Sequence, residues 1–429
     1  MTERTDKIKA ILEKAGFWSL LLTLFLMSFP RSWSLYPLGF FLSVGLALWV
    51  MDFKNILNTF LKIWYLILPP VFYFLIHFIS TVVQWAPISI LETRLMFLLV
   101  PLLGFPVFFS DFTKSRLFVL FSGFTIGTLL ICVFLIIRLI FKIYNNYTGD
   151  IPLYSWLVEH DQDYSSLGFS ILEHPTYLSL KINWILILLI FSDQFRSFKM
   201  TKSIFIILLL TVTLYLLASK TGLLLWFILL LIFFFKKIKE KPNPILYILM
   251  MLLFILIAGI SIIEIPRTDR YINGIKSKLE GNQIDLKNLD QRTREWYCAT
   301  QIIKKTPFFG TGLSKVEETM VGEFNSNGFL EEAALRLNAH NQFLEAQMTF
   351  GIFGTFSLIF LLIAPIIFQR LLIFNRLSIA FVGIITFFLL IESMFNRQWG
   401  IMFFVLFYCI LVTNIKTNWI RNSYLNTSN

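Results

Sequence analysis

"SIFIILLLTVTLYLLASKTGLLLWFILLLIFFF", residues 203–235, carries a single charge, Lys220. A bilayer crossing takes about 20 apolar residues, so this run is too long for one. The interruption "ASKTG" at 218–222 makes it two membrane helices joined by a tight hairpin. The composition extends that reading to the whole chain. Hydrophobic residues make up 57% and charged residues 15%, with mean hydropathy +0.73. A soluble core cannot absorb that much apolar surface, so lipid must be the solvent.

Working outward, the expected fold is an all-α polytopic membrane protein of about twelve transmembrane helices. Nine spans precede residue 264, near 16–30, 33–50, 62–83, 90–110, 117–141, 176–192, 203–218, 221–235 and 245–263. Three follow residue 340, near 341–368, 378–394 and 398–414, before a tail that ends at 429. Between these two groups, 264–340 is a large polar loop, and a shorter loop covers about 142–175. The N-terminus has a basic start and an apolar run from about Gly16 without a small-residue cleavage site, so it reads as a retained span. Alternate short loops collect the basic residues, from Lys7, Lys9 and Lys14 through Lys54 and Lys62 to Lys236, Lys237 and Lys239. By the positive-inside rule both termini are cytoplasmic, and the two long loops lie outside.

The net charge of +11 arises from these short clusters, which suit topology and anionic lipids. No basic patch with interleaved aromatics points to nucleic acid. Cys132, Cys298 and Cys409 form neither a disulfide framework nor a CxxC pair and read as small buried hydrophobes. His160 and His174 lack metal-ligand spacing, so neither a metal nor another cofactor is expected. His77 reads as a satisfied residue within the bundle. No phosphate-binding glycine loop or nucleophile elbow is present.

The chemistry concentrates at the outer end. "NAHNQFLEAQMTFGIFGT" (338–355) sets His340 where the polar loop gives way to a span. On one continuous helix His340, Leu344, Gln347, Gly351 and Gly354 share a face, and the glycines admit a close neighbour that would hold the histidine. Arg94, Lys181, Lys220 and Glu392 are ionisable groups near the outer ends of spans, where charge is costly unless paired or functional. Arg267, Arg270, Arg292, Arg294 and Arg336 enrich the long loop, and guanidinium suits phosphate oxygens. For Arg294, pairing with a loop glutamate is the favoured alternative. "DQRTREWYCATQIIKKTPFFGTG" (290–312) reads as a helix with Arg292, Trp296, Ala299 and Ile303 on one stripe, stopped by Pro307 and the glycines at 310 and 312. His174, in "EHPTY", is expected to cap the start of a span.

At these residues the sequence resembles the O-antigen ligase and polymerase superfamily of bacterial membrane glycosyltransferases. The resemblance rests on His340-Asn341, nine residues, then Gly351-Ile-Phe-Gly354. It rests also on Arg292 four residues before Trp296, followed by Pro307, Gly310 and Gly312, and on the turn Ser219-Lys220-Thr221-Gly222, where lysine replaces the family's arginine. It implies a donor glycan on undecaprenyl diphosphate at the periplasmic face of the inner membrane, a hydroxyl acceptor such as lipid A-core, and no metal or nucleotide. It implies catalytic roles for His340, Arg292 and Lys220. Asn341, Trp296, Arg294, Arg336, Arg267, Arg94 and His174 are the substrate-binding candidates. The shared motif leaves three acceptors open: lipid A-core for a ligase, a growing glycan for a polymerase, or a protein hydroxyl. The long loop before His340 favours the ligase. A transporter would place its site near the midplane with inverted repeats, and no repeat is seen.

Overall fold

The computed structural model describes residues 2–109, 113–147, 166–192, 195, 200–240, 245, 248–249, 251–252, 290–370 and 376–426. Every regular element among them is helical. In chain order these are α1 (Thr2–Phe25), α2 (Arg31–Met51), α3 (Phe53–Ile63), α4 (Leu68–Val83), α5 (Met96–Leu103), α6 (Phe105–Phe108) and α7 (Lys114–Asn146). There follow α8 (Ser166–Phe169), α9 (Pro175–Phe191), α10 (Met200–Leu217), α11 (Lys220–Glu240) and α12 (Gln291–Lys305). Last come α13 (Val316–Ser326), α14 (Leu330–Ala334), α15 (Gln342–Arg370), α16 (Arg376–Leu389) and α17 (Gln398–Asn426), with short 3-10 turns between some of them.

Five helical stretches among the described residues are long and apolar enough to cross a membrane: Arg4–Ser28, Arg31–Met51, Ser115–Asn146, Lys220–Lys239 and Gln342–Ile367. A sixth exists only if Phe53–Leu66 and Leu68–Val83, bent by 77°, count as one. Pro175–Phe191, Lys202–Leu217, Arg376–Leu389 and Gln398–Val412 are apolar but shorter. Of the about twelve spans expected, the described residues show five or six, with four shorter apolar helices beside them. The expected span at 90–110 is instead a 3-10 turn and the short helices α5 and α6. Pro106 begins α6, and a proline cannot donate the amide that would continue the preceding helix. Pro69 and Pro70 open α4 after the 77° bend for the same reason. The expected span at 245–263 lies almost wholly outside the described residues.

The 203–235 stretch folds as the hairpin its sequence predicts. α10 stops at Leu217, Ala218 takes a positive φ of 49°, and Ser219 Oγ accepts the Gly222 amide at 3.3 Å to start α11. Ser219 Oγ also lies 3.1 Å from Ser179 Oγ, which fixes the hairpin tip to α9. Every residue of α9 from Tyr177 to Ile190 is buried, as expected of a helix apolar all round. Its one cation, Lys181, hydrogen-bonds both oxygens of Glu173 at 2.7 and 2.8 Å and the Met27 carbonyl at 2.6 Å. This ion pair satisfies Lys181 within the bundle.

α7 shows the solvent directly. Ile126, Leu130, Phe134, Ile137 and Phe141 recur at helical spacing and are each nearly half exposed or more, while Phe124, Ile131 and Leu135 on the other face are buried. An exposed stripe of that kind suits lipid contact and would be a liability in water. α12, α13 and α14 form a separate small core of Cys298, Ile302, Met320, Phe324 and Phe329 around the α15 side chain Met348. The three cysteines are buried and none is in a disulfide among the described residues.

Candidate functional site

Asp290 caps α12, its side chain accepting the Thr293 amide at 3.3 Å. The buried face of α12 is Glu295, Cys298, Ala299 and Ile302, an i, i+3, i+4, i+7 stripe. The expected stripe through Trp296 is therefore displaced by one residue: Trp296 is 37% exposed and Glu295 points inward. Arg292, one turn before Trp296 and Glu295, reaches the start of α15. Its NH1 group donates to the His340 carbonyl at 3.3 Å and to the Ile391 carbonyl at 2.7 Å.

α15 is not one continuous helix. Gly351, at φ 61° and ψ −147°, breaks it in a region of backbone space that is essentially glycine-only. The turn after α12 plugs the break. Thr311 donates its amide to the Met348 carbonyl at 2.9 Å, Gly312 to the Thr349 carbonyl at 2.8 Å, and Ile352 to the Phe308 carbonyl at 3.2 Å. The approach leaves no room for side chains on either strand of the joint. A Cβ at Gly351 would stand 2.2 Å from the Phe308 oxygen, and one at Gly310, itself at φ 68°, would stand 2.4 Å from the Thr349 oxygen. The glycines of the two motifs are thus two halves of a single joint that clamps α12 to the start of α15. A single-face packing of His340, Gly351 and Gly354 along one helix is replaced by this break.

His340 precedes α15 at φ 44°, the left-handed region that most side chains avoid. Asn338 Oδ1 accepts its amide at 2.8 Å and supports the turn. Asn341 Oδ1 accepts the Phe343 and Leu344 amides at 2.9 and 3.1 Å, so the amide side chain is the N-cap of α15. The imidazole lies between two carboxyl groups. Nδ1 is 3.2 and 3.3 Å from the two oxygens of Glu392, and Nε2 is 4.0 Å from Glu295 Oε1. Arg292 NH2 lies 3.7 Å from Glu392 Oε2 and completes the cluster.

The two glutamates are pushed in opposite directions. Burial raises the Glu295 carboxyl above its ordinary value, and the His340 charge and the Gln291 hydrogen bond only partly offset it. Burial alone would also raise Glu392, but the hydrogen bond from His340 and the charges of His340 and Arg292 outweigh it and hold that carboxyl low. Glu295 Oε2 is also buried without a hydrogen-bond partner among the described residues. A carboxyl whose folded pKa is raised adds stability while protonated and loses it as pH climbs through that raised value. Glu295→Gln is therefore expected to remove a destabilisation that wild type suffers above the ordinary carboxylate value of 4.5. Thermal unfolding of both proteins in detergent from pH 4 to 8 checks this; parallel curves would refute it.

His174 and Tyr177, at the start of α9, lie within electrostatic range of Glu392 and Arg397. His174 Nδ1 accepts the Thr176 amide at 3.4 Å, and Pro175 opens α9, so "EHPTY" is a helix cap. Burial lowers the His174 imidazole, against the pull of Glu392.

The remaining sequence candidates are dispersed around this cluster. Arg294 pairs with Glu332 at 2.5 Å and lies over the Phe329 ring. Arg336 pairs with Glu317 at 2.8 Å. Arg94 donates to the Ile90 carbonyl at 3.1 Å and to Asn396 Oδ1 at 3.2 Å. Lys220 is exposed at the hairpin tip beside α9. His77 is buried with Nδ1 2.9 Å from the Tyr73 carbonyl. Arg267, Arg270 and His160 lie outside the described residues.

Sequence reasoning missed Glu295 and Arg397. Glu295 sits three residues after Arg292, hence on the same side of the helix. Arg397 shares the signal that marked Glu392, a charge in an otherwise apolar run. Among the described residues no group of three or more His, Cys, Asp or Glu is arranged to hold a metal ion. The arrangement suits acid–base and electrostatic chemistry: an imidazole tethered by a carboxylate beside a guanidinium.

No curated protein matches the chain. Residues 205–359, which contain the hairpin tip, Arg292, His340 and both halves of the glycine joint, match the O-antigen ligase family; the protein carries an O-antigen ligase domain.

Proposed function

We propose that this protein transfers a glycan from undecaprenyl diphosphate to a hydroxyl of lipid A-core at the periplasmic face of the bacterial inner membrane. The matching domain and the apolar helices support a multi-pass membrane enzyme of the ligase and polymerase family that acts on lipid-linked glycans. The convergence of His340 and Arg292 on Glu392 supports group transfer at this site, and the long loop before His340 favours the ligase.

In this mechanism Glu392 accepts the Nδ1–H of His340 and leaves the Nε2 lone pair available as a base. The acceptor oxygen bonds to the anomeric carbon, its proton passes to Nε2, and the bond from that carbon to the diphosphate oxygen breaks. Arg292 stabilises the negative charge on the departing lipid diphosphate. Its NH1 group is held by two carbonyl oxygens and its NH2 group lies toward Glu392, which fixes the guanidinium beside His340. Lys220 supplies a second positive charge in the place of the family's arginine, without that residue's two-pronged geometry. Asn341 and Asn338 hold His340 in place. Trp296, Arg294, Arg336, Arg267, Arg94 and His174 are kept as the candidates for substrate binding. Neither a metal nor a nucleotide takes part.

Deletion of the gene, read on a glycan gel, tests the reading. Polymer stranded on the lipid carrier with bare core is the expected result. A single repeat attached to core would make the protein a polymerase instead, and loss of glycan from proteins alone would make the acceptor a protein hydroxyl. An unchanged profile would end the transferase reading.

A further inference from the structure

A cavity of about 430 Å³ opens beside the His340 turn, roofed by α13 and floored by α4 and α15. That volume lies within the range of roughly 300–1,000 Å³ typical of small-molecule sites. Asn338 and Gln342, on either side of His340 in sequence, line it, as do Ser314, Thr349 and Asn396. Such a wall of amides and hydroxyls above the apolar Met320, Met348 and Phe350 suits a sugar, which has polar edges and apolar ring faces.

The charges in the wall are unequal. Arg336 and Glu317 pair with each other at 2.8 Å, each 60% exposed. Arg94 donates to Asn396 Oδ1 at 3.2 Å and lies within electrostatic range of Glu345. Arg94 Nε nevertheless stays buried without a hydrogen-bond partner. Arg397 lines the same cavity, is exposed, and has no ion-pair or hydrogen-bond partner for its guanidinium among the described residues. It also lies within electrostatic range of His174 and Tyr177, on the flank of the His340 and Glu392 cluster. One positive charge in the cavity wall is left without a partner among the described residues.

We infer that this cavity is the acceptor subsite and that it takes a sugar bearing an anionic group, a phosphate or a carboxylate, which Arg397 binds. The inference rests on the transferase reading for the word acceptor, but not for the ligand chemistry. An oxyanion on Arg397 would complete its planar fork of donors and anchor the sugar beside His340. It would also account for two guanidinium groups with unmet donors facing one polar cavity.

The test uses the full chain in detergent with glucose 6-phosphate, glucose and inorganic phosphate as probes, and binding read by intrinsic tryptophan fluorescence. Glucose 6-phosphate is expected to bind wild type at least about ten-fold more tightly than either glucose or inorganic phosphate, a difference of about 1.4 kcal/mol. Arg397→Gln is expected to abolish that preference, Arg397→Lys to keep part of it, and Lys304→Gln, at an exposed cation outside the cavity lining, to keep it all. Equal binding of glucose and glucose 6-phosphate would overturn the inference, as would a preference that survives Arg397→Gln with the variant still folded by thermal unfolding. Loss of the preference in Lys304→Gln would make it an effect of overall charge and overturn it too. The readout is binding rather than transfer, so it stands or falls apart from the deletion test.

Discussion

His340→Asn lowers glycan transfer by about 10²–10⁴-fold, the range a positioned general base contributes, while the protein still inserts into the membrane. Asparagine is the informative replacement because His340 sits at φ 44°, and asparagine tolerates the left-handed region better than most residues. The variant keeps the turn before α15 and removes only the imidazole. His340→Ala loses the imidazole as well but adds a backbone cost of about 1–2 kcal/mol, so its defect mixes chemistry with stability. Glu392→Gln keeps the volume beside Nδ1 and removes the charge that fixes the tautomer. Its activity should fall between wild type and His340→Asn. In vivo glycan profiling, normalised to inserted protein, measures all three. Normal glycan from normally inserted His340→Asn would remove the histidine from the mechanism.

Gly351→Val should prevent the protein from accumulating. The position is at φ 61° and ψ −147°, which valine cannot adopt without strain of about 1–3 kcal/mol. Its Cβ would stand 2.2 Å from the Phe308 oxygen and 2.3 Å from the Phe308 carbonyl carbon. Both are backbone atoms, so no rotamer change relieves the contact. The two segments must separate, which breaks the amide-to-carbonyl bonds between 308–312 and 348–352. Each buried polar group left unsatisfied costs about 1–3 kcal/mol. Two or three such groups, added to the strain, approach the whole stability of an ordinary domain. Gly383→Ala is the control: a Cβ there meets nothing within 4 Å, and alanine favours helix. Membrane yield and thermal unfolding compare the two. A Gly351→Val protein with wild-type yield and stability would mean that the joint is dispensable.

The two motifs that carried the family resemblance acquire a physical meaning from this joint. Pro307, Gly310 and Gly312 read in sequence as a helix stop, and Gly351 and Gly354 as a packing face. Both descriptions are local, because sequence spacing reports only what one element does along its own axis. The pairing of one turn with a break in another helix depends on main-chain groups meeting across about 40 residues, and no periodicity records that. The same limit explains Trp296 and Glu295. A stripe through 292, 296, 299 and 303 and a stripe through 295, 298, 299 and 302 are both helical, and only the neighbours of α12 choose between them. Arg294 was different: its glutamate partner could be expected from charge alone, since an acidic loop surrounds it.

The apolar run at 203–235, the hairpin at Ser219, the helix after Asp290 and the free buried cysteines follow from composition and local rules. Lipid demands internally satisfied backbone, and helices supply it within a single stretch of chain. The number of crossings was not fixed in this way. Prolines at 69, 70 and 106 divide apolar stretches that hydropathy counts as whole, since hydropathy sees side chains and not missing amide donors. The site was not fixed either. His340 and Arg292 stand out in sequence as residue types suited to the chemistry, but Glu295, Glu392 and Arg397 join them only when α12, α15 and the turn before α17 meet. That convergence comes from packing and from the pairing of buried charges, which act between segments distant in the chain.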